Sequence, residues 1–589
     1  RKRASGPLLD MQEPSDKLFC CTWLRNKVPL TCRDELYHLL RMTGPLLLSR
    51  ILLFLLPFVV TIFCGRLGNE VMAGYGLASA TINVTTAATG CGLALACDTL
   101  VSQTFGGKNL LRVGVILQRG VIILLLFCLP CWGLLINAQA VLLRLGQDPT
   151  VARIAQLYIT AFLPAVPAMF LHRLQSSYLQ NQDIILPQMY TAALANVANV
   201  MTNYIFLHWL DLGVYGSAAA NTLSHIYNCA FLFAYIWWKK LYVATWGGWS
   251  LESLQEWGSY MKLAIPSTLM TCFEWWVYEF GGFFAGMLSE NELAAQHAMI
   301  MLAFITYMFP YAIQAAACAR VGNALGAGDT DRAMLSSKMS LILAGYFAVV
   351  EGLVLASTKT VIGFIFTSDK EIVGLVSHLM NAHCFLQFFD GLVCVCTGIF
   401  LGTGKQKIPA VANLVGYYGI GLPLSIVLMF VANLRVLGYW LGLLIYTFLM
   451  LLFAGCETSP EKDIHSCFRS TTHPPLLSKS QHHLKLNDNI FLSLKPGDDC
   501  TSESTTHDDE DKQMHELPQL QDRLSSTQLI LRRGLAVFIA VAFLAAGASV
   551  HFLVPLPKPQ HSEARNIDWI NATDTPNRNL STVLVSLAQ

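Results

Sequence analysis

From Gly44 to Gly455 the chain is a succession of apolar runs separated by short polar loops. A bilayer-spanning helix needs ~20 mostly apolar residues, and twelve runs approach that length. The first six lie near Gly44–Cys64, Met72–Ala96, Gly120–Asn137, Ile154–Phe170, Pro187–Leu207 and Gly216–Trp237. A second six lie near Leu263–Met287, Leu293–Ala317, Met339–Ala356, Ile372–Phe400, Pro409–Val431 and Leu437–Gly455. The last of these ends early, at "FAGCETSP". A polar stretch from Glu457 to Thr527, rich in Ser, Thr, His and Asp, has the composition of a disordered segment. "RRGLAVFIAVAFLAAGASVHFLV" then supplies a thirteenth span at about Leu535–Val554.

Composition agrees with the pattern. Of 589 residues, 54% are hydrophobic and 13% charged, against roughly 25% charged in soluble domains. A net charge of +1 gives no reason to expect nucleic acid. The 17 cysteines are scattered through apolar runs, with no secreted disulfide framework. "CLPC" at Cys128–Cys131 has redox spacing but sits inside a span without a second pair, so ordinary packing is the simpler reading. The first forty residues are basic and polar, with no signal-peptide core.

Loop charge sets the orientation. With the N-terminus inside, the inner loops hold Lys108, Arg112, Arg119, Arg173, Lys239, Lys240, Lys262, Arg320, Arg332, Lys338, Lys405 and Lys407. The outer loops hold Arg66, Arg144, Arg153, Lys359, Lys370 and Arg435. Twelve against six favours a cytosolic N-terminus, and thirteen spans place the C-terminus outside. The sequons at Asn571 and Asn579 then fall where glycosylation reaches them.

The chain also repeats itself. "SQTFGGKN" (102–109) aligns with "GNALGAGD" (322–329), Gly106 over Gly326. Asp148 aligns with Asp369, Pro187 with Pro409 and Pro45 with Pro266, all at offsets of 220 to 222 residues. Six spans is an even number, so both halves share one orientation. That is the parallel-repeat arrangement of transporters, with the site between the halves. The expected fold is an all-α polytopic membrane protein with two six-helix parallel-repeat lobes plus a thirteenth C-terminal transmembrane helix. The expected segments are 1–42 cytosolic, 43–238 the first lobe, 239–262 the inter-lobe loop and 263–456 the second lobe. Beyond them come 457–528, disordered and cytosolic, then 529–556, the thirteenth helix, and 557–589, extracellular.

Acids inside spans are costly and are candidate functional groups. In "TCFEWWVYEFGGFF" (271–284), at about 100° per residue, Glu274, Trp275, Tyr278 and Glu279 share one arc with Ser267, Thr268, Thr271 and Gly282. Phe273, Val277, Phe280, Phe283 and Phe284 share the opposite arc, suited to lipid. Burial favours the neutral form of a carboxyl group, whereas a bound cation favours the ionised form. Proton and cation therefore compete for one group, and competition obliges exchange. Trp275, Trp276 and Tyr278 are placed to offer π faces to a cation. In the tenth span His383, Gln387, Asp390 and Cys394 form one stripe. His383 either titrates or is a hydrogen-bonded structural group. Asn196, Asn199 and Asn203 share a face of the fifth span, as do Ser217, Asn221, Ser224 and Asn228 in the sixth; interhelical bonding is at least as good a reading as substrate contact. Asn83 and Thr86 share a face with Gly90. No nucleophile–base pair or metal-ligand spacing is present, so an enzyme or metal site is not expected.

"INVTTAATGCGLALACDTLVSQTFGG", "VGVILQR", "ATWGGWSLE", "EWWVYE", "RVGNALGAGD" and "LGTGKQK" together resemble the multidrug and toxin extrusion (MATE) transporters. The thirteenth span resembles the vertebrate branch, solute carrier family 47. The resemblance implies exchange of protons for small organic cations at the plasma membrane, with no cofactor and a single chain as the working unit. It implies cavity roles for Asn83 and Cys64, with packing the alternative for Cys64. It sets Asp390 where relatives have glutamate, Gln387 where histidine is common, and Met301 where relatives carry a further glutamate. The expected coupling groups are Glu274, Glu279 and Asp390; Asn83, Trp275, Tyr278, Gln387 and Cys64 are the expected cavity residues. Rival readings are a lipid or lipid-linked oligosaccharide flippase, which clustered arginines would favour, and a sodium-coupled exporter. Arg50 and Glu351, both in apolar runs, have no role on this reading.

Overall fold

The computed structural model describes residues 29–367, 369–457 and 525–556, apart from the side chains at 69, 290 and 452–457. The polar stretch after Glu457 and both sequons lie outside the described residues. Those described form helices and no strand. In chain order they are α1 (Leu30–Leu67), α2 (Asn69–Ile82), α3 (Ala88–Gly106), α4 (Leu110–Leu135), α5 (Ala138–Arg144), α6 (Pro149–Phe162), α7 (Ala165–Gln180), α8 (Leu186–Tyr204) and α9 (Gly213–Trp238). Then come α10 (Trp257–Gly286), α11 (Glu290–Gly326), α12 (Thr330–Thr358), α13 (Lys370–Thr403), α14 (Lys407–Asn413), α15 (Leu422–Ile426), α16 (Arg435–Glu457) and α17 (Ser526–Leu553).

Eight rods among the described residues are long and apolar enough to cross a membrane: α1, α2–α3, α4, α11, α12, α13, Lys407–Val431 and α17. The expected fourth span is a bent pair, α6 and α7, meeting at 58°. Pro164 sits at the bend, where a ring without an N–H ends the helical ladder. Helices α8, α9 and α10 form at the expected places but fall outside the eight, being richer in Asn, Ser, Glu and His. Two asparagines of α8 point into the bundle: Asn196 and Asn199 donate to the Leu52 and Leu56 carbonyls of α1 at 2.7 and 3.4 Å. Here the asparagines of α8 bind helix to helix.

The repeat is visible in local geometry. Asn109 opens α4 by accepting from the Arg112 N–H at 3.3 Å, and Asp329 opens α12 by accepting from the Arg332 N–H at 2.9 Å. Asp148 and Asp369 likewise cap α6 and α13. Each satisfies donors that a helix start leaves unpaired. One-turn π-helical segments recur at Ile205–Trp209 and Val427–Val431, again at the repeat offset.

Packed apolar residues fall into two main clusters, one drawn from between Val60 and Ala264 and one from between Val277 and Tyr446. A third joins Leu39, Met42 and Leu46 of α1 to α11 and α12. The repeat glycines form a reciprocal seam. A Cβ on Gly106 would lie 2.0 Å from the Asn323 carbonyl oxygen, and one on Gly326 would lie 1.9 Å from that of Gln103. Only hydrogen fits at either position. Beside the seam Thr99 donates to the Leu401 carbonyl at 2.6 Å and Gln103 to that of Gly402 at 2.9 Å.

The arginines expected in loops lie in helices instead, and three of them are largely buried against an acid. Arg119 lies in α4 against Glu256 at 3.3 Å, Arg173 in α7 against Asp98 at 3.2 Å, and Arg320 in α11 against Glu35. Hydropathy cannot separate a loop arginine from one whose acid partner arrives from a distant helix. The segment after α9 is fastened to α4, with Gln118 donating to the Gly248 carbonyl at 2.7 Å. Helix α17 packs on α4: Asn137 donates to the Gly547 carbonyl at 2.8 Å, and Arg533 donates to the Leu254 carbonyl at 2.8 Å while stacking on Trp257 at 4.1 Å.

Candidate functional site

Helix α10 presents Glu274 to α11, where the Tyr307 hydroxyl donates to its Oε1 at 2.6 Å. Asp390 approaches from α13 and lies within electrostatic reach of Glu274. Tyr278, Tyr417 and Tyr446 lie within reach of both acids. Two acids from different helices therefore share one tyrosine-lined site, and among the described residues no Lys or Arg forms an ion pair with either. Cys394, one turn beyond Asp390, donates to Gln314 Oε1 at 3.2 Å. The sequence pattern located the acids and Tyr278. Tyr307 and Gln314 went unnoticed, although an aromatic and an amide at i and i+7 of α11 carry a helical-face signal.

The remaining expected site residues disperse. Glu279 is exposed, and Tyr439 rather than the acid pair lies within its electrostatic reach. Trp275 is 37% exposed, whereas the Trp276 indole donates to the Val84 carbonyl at 3.1 Å and so ties α10 to the π-helical turn Asn83–Ala87. That turn holds an extra residue, which rotates the face after it. Asn83 is accordingly exposed while Thr86 and Gly90 are buried, so the expected common face does not form. Gln387 is buried and donates to the Ala348 carbonyl of α12 at 2.8 Å, a structural contact between α12 and α13. His383 is buried 3.4 Å from the Thr306 hydroxyl, edge-on to Trp440. Cys64 is fully buried, its Sγ 3.2 Å from the Tyr158 hydroxyl and 3.3 Å from Ser217 Oγ. These contacts place it in the packed interior of the first half, away from the acids. Cys128 and Cys131 are buried free thiols.

The arc of α10 expected to meet lipid is partly covered. Val277 is fully buried, Tyr439 donates to its carbonyl at 2.8 Å, and Tyr418 donates to the Phe273 carbonyl at 3.3 Å. Phe283, at 67% exposed, keeps the expected outward position. The helical wheel separates polar from apolar faces correctly, but an apolar face serves a neighbouring helix as well as it serves lipid.

A second polar cluster was not anticipated. Asp98, in α3, accepts from Arg173 at 3.2 Å, from Ser177 at 2.5 Å and from Asn181 at 2.8 Å. Arg50, in α1, lies over the Tyr311 ring at 4.8 Å. Tyr311 stacks on Tyr307 at 6.1 Å, so one face of α11 carries the acid site and the arginine site a turn apart. Asp98 stands inside the "ACDTL" run, and an acid within a span is a usable signal.

Known proteins share this fold and its repeat. The MatE family model matches the chain twice, over residues 45–205 and 266–427, which is the repeat read from Pro45 and Pro266. Multidrug and toxin extrusion protein 1 of Danio rerio is 45% identical over 549 residues, 90% of this chain and 92% of that protein. The Homo sapiens protein of the same name is 44% identical, covering 89% and 94%. The crystal structure of the eukaryotic MATE transporter AtDTX14 superposes with a TM-score of 0.70 at 25% identity, covering 75% of this chain and all of that one. The chain belongs to the multidrug and toxin extrusion (MATE) transporter family.

Proposed function

We propose that this transporter exports small organic cations in exchange for protons, with Glu274, Asp390 and Glu279 as the acids that carry the exchange. The observation that carries the reading is the shared Glu274–Asp390 site, in which one tyrosine hydroxyl donates to Glu274 and among the described residues no basic side chain neutralises either acid. Two carboxylates with no fixed counter-charge are not comfortable together in a half-buried site. A proton relieves that repulsion, and so does a cationic guest. The surrounding tyrosines offer π faces to such a guest, and Trp275 is free to do so where Trp276 is held. Glu279, exposed and separate, suits a loading position on the path to the pair.

In this reading the chain is two six-helix lobes, 43–238 and 263–456, joined by 239–262 and followed by a thirteenth helix. The lobes rock about a central cavity, and one chain houses the whole site. Loop charge puts the N-terminus in the cytosol and the C-terminus outside the plasma membrane. The glycine seam then lies on the cytosolic side, and its closeness fits a cavity closed to the cytosol. External protons load the acids and release the cation outside; after the lobes rock, the protons leave and the next cation docks. The relatives are named as extrusion proteins, in keeping with transport rather than enzymatic turnover.

The test is labelled tetraethylammonium uptake into vesicles under an imposed proton gradient, for the natural chain and for Glu279→Gln. Stimulated uptake by the first and near-background uptake by the second is the expected result. Uptake that follows a sodium gradient at clamped pH would instead identify the sodium-coupled exporter.

A further inference from the structure

The arginine cluster beside the acid site has a charge that nothing in the first half balances. Arg50, Arg173, Asp98, Gln180, Tyr311 and Gln314 line one small pocket, contributed by α1, α3, α7 and α11. Two guanidinium groups face a single carboxylate. Asp98 is already occupied by Arg173, Ser177 and Asn181, and Arg50 has the face of Tyr311 as its contact, with no ion pair among the described residues. Buried donors remain open: Arg173 Nε and Nη1 have no hydrogen-bond partner. A buried, uncompensated positive charge between spanning helices is costly and draws a counter-charge. A guanidinium with free N–H groups is matched in shape and charge to a small oxyanion or halide.

We infer that this pocket binds a small monovalent anionic group, either a free halide or the carboxylate of an amphoteric substrate, between Arg50 and the open donors of Arg173. The stacked tyrosines link the two sites along one face of α11. Tyr307 holds the acid site, Tyr311 carries Arg50, and the two rings are 6.1 Å apart, about one helical turn. A guest with its ammonium at Glu274 and Asp390 and a carboxylate that reaches along this face of α11 brings that carboxylate to Arg50. A guest without a carboxylate leaves the pocket to a halide. Either way the anionic group offsets the charge of Arg50 and favours occupation of the cavity by a cation. Asp98 and Arg173 hold the pocket's shape, and Arg50 is the specificity-determining residue. This inference rests on the cation-exchange reading above.

The test uses the full-length chain in vesicles with a proton gradient and the membrane potential clamped. In one arm, tetraethylammonium uptake is measured with chloride on both sides and again with gluconate in its place. In the other, inhibition of that uptake is compared for a short trimethylammonium carboxylate and its methyl ester. A halide source predicts uptake at least about fivefold higher in chloride, the low end of coupling between two sites. A carboxylate source predicts tighter inhibition by the acid than by its ester, by a similar factor. Arg50→Gln abolishes whichever preference is present, and Arg50→Lys retains part of it. If Arg50→Gln does not reach the membrane, Arg50→Lys and the natural chain decide the matter. A natural chain that transports tetraethylammonium with neither chloride dependence nor acid preference overturns the inference, as does a preference unchanged in Arg50→Gln. Absence of proton-driven uptake by the natural chain is a different result, and it would sink the transport reading itself.

Discussion

The two halves of this chain are copies in outline and opposites in chemistry at their centres. In the first half the buried acid, Asp98, accepts three hydrogen bonds, one of them from Arg173. In the second half Glu274 accepts one, from the neutral Tyr307, and lies within electrostatic reach of another acid. An acid whose counter-charge is covalently fixed has nothing to exchange; its energy goes into holding helices together. An acid without one can be satisfied only by something that arrives and leaves. On the proposed reading the same residue class is structural in one half and available for transport in the other, and its partners make the difference.

The largest expected effect breaks the exchanging side. Glu274→Gln combined with Asp390→Asn removes both charges that a cation or proton could satisfy. Proton-driven tetraethylammonium uptake then falls to background while the amount of protein at the membrane stays near normal; residual gradient-dependent uptake would show that the coupling lies elsewhere. Asp98→Asn probes the structural side. Breaking a buried ion pair from one partner costs ~3–5 kcal/mol, so membrane abundance and thermal stability of the purified protein drop, and proton-driven transport per surviving molecule persists, reduced only as far as the pocket that Asp98 shapes is disturbed. A selective loss of transport at normal abundance would instead give the first half an exchanging acid too. The smallest effect sharpens the boundary between the halves. Tyr307→Phe removes one bond to an acid, worth ~1.5–3 kcal/mol if that acid is charged, and makes its ionised form harder to reach. The external pH that half-activates uptake therefore moves upward, and cation affinity falls by about tenfold or more; an unchanged pH profile would mean that the hydroxyl only packs.

Much of the outline was legible in the sequence. Apolar runs gave helices at every expected span, because a chain in hydrocarbon must satisfy its backbone hydrogen bonds within the helix. The repeat was legible too, since Asn109 and Asp329 or Asp148 and Asp369 cap equivalent helix starts, and a cap is a local requirement. The failures are those of a helical wheel, which knows directions but not neighbours. It set Val277 toward lipid where Tyr439 covers it, and grouped Gln387 with Asp390 although Gln387 bonds to the Ala348 carbonyl. Asn83 and Thr86 were assigned one face because a regular 3.6-residue turn was assumed, and the π-helical turn at 83–87 breaks that register. Cys64 could not be separated from a cavity residue without Tyr158 and Ser217, which are distant in the chain.

Taken alone, the sequence determined that this chain is helical, crosses a membrane many times, is built from a duplicated unit and carries acids inside its spans. Those properties follow from hydrophobic period, length and charge within a window of a few turns. Which acid is paired and which is open was decided by the tertiary structure. So was the meeting of Arg50 with Tyr311 and of Glu274 with Tyr307 on one face of α11. The strength of a charge–charge contact depends on distance and surroundings, and here the partners are brought together by helices tens to hundreds of residues apart.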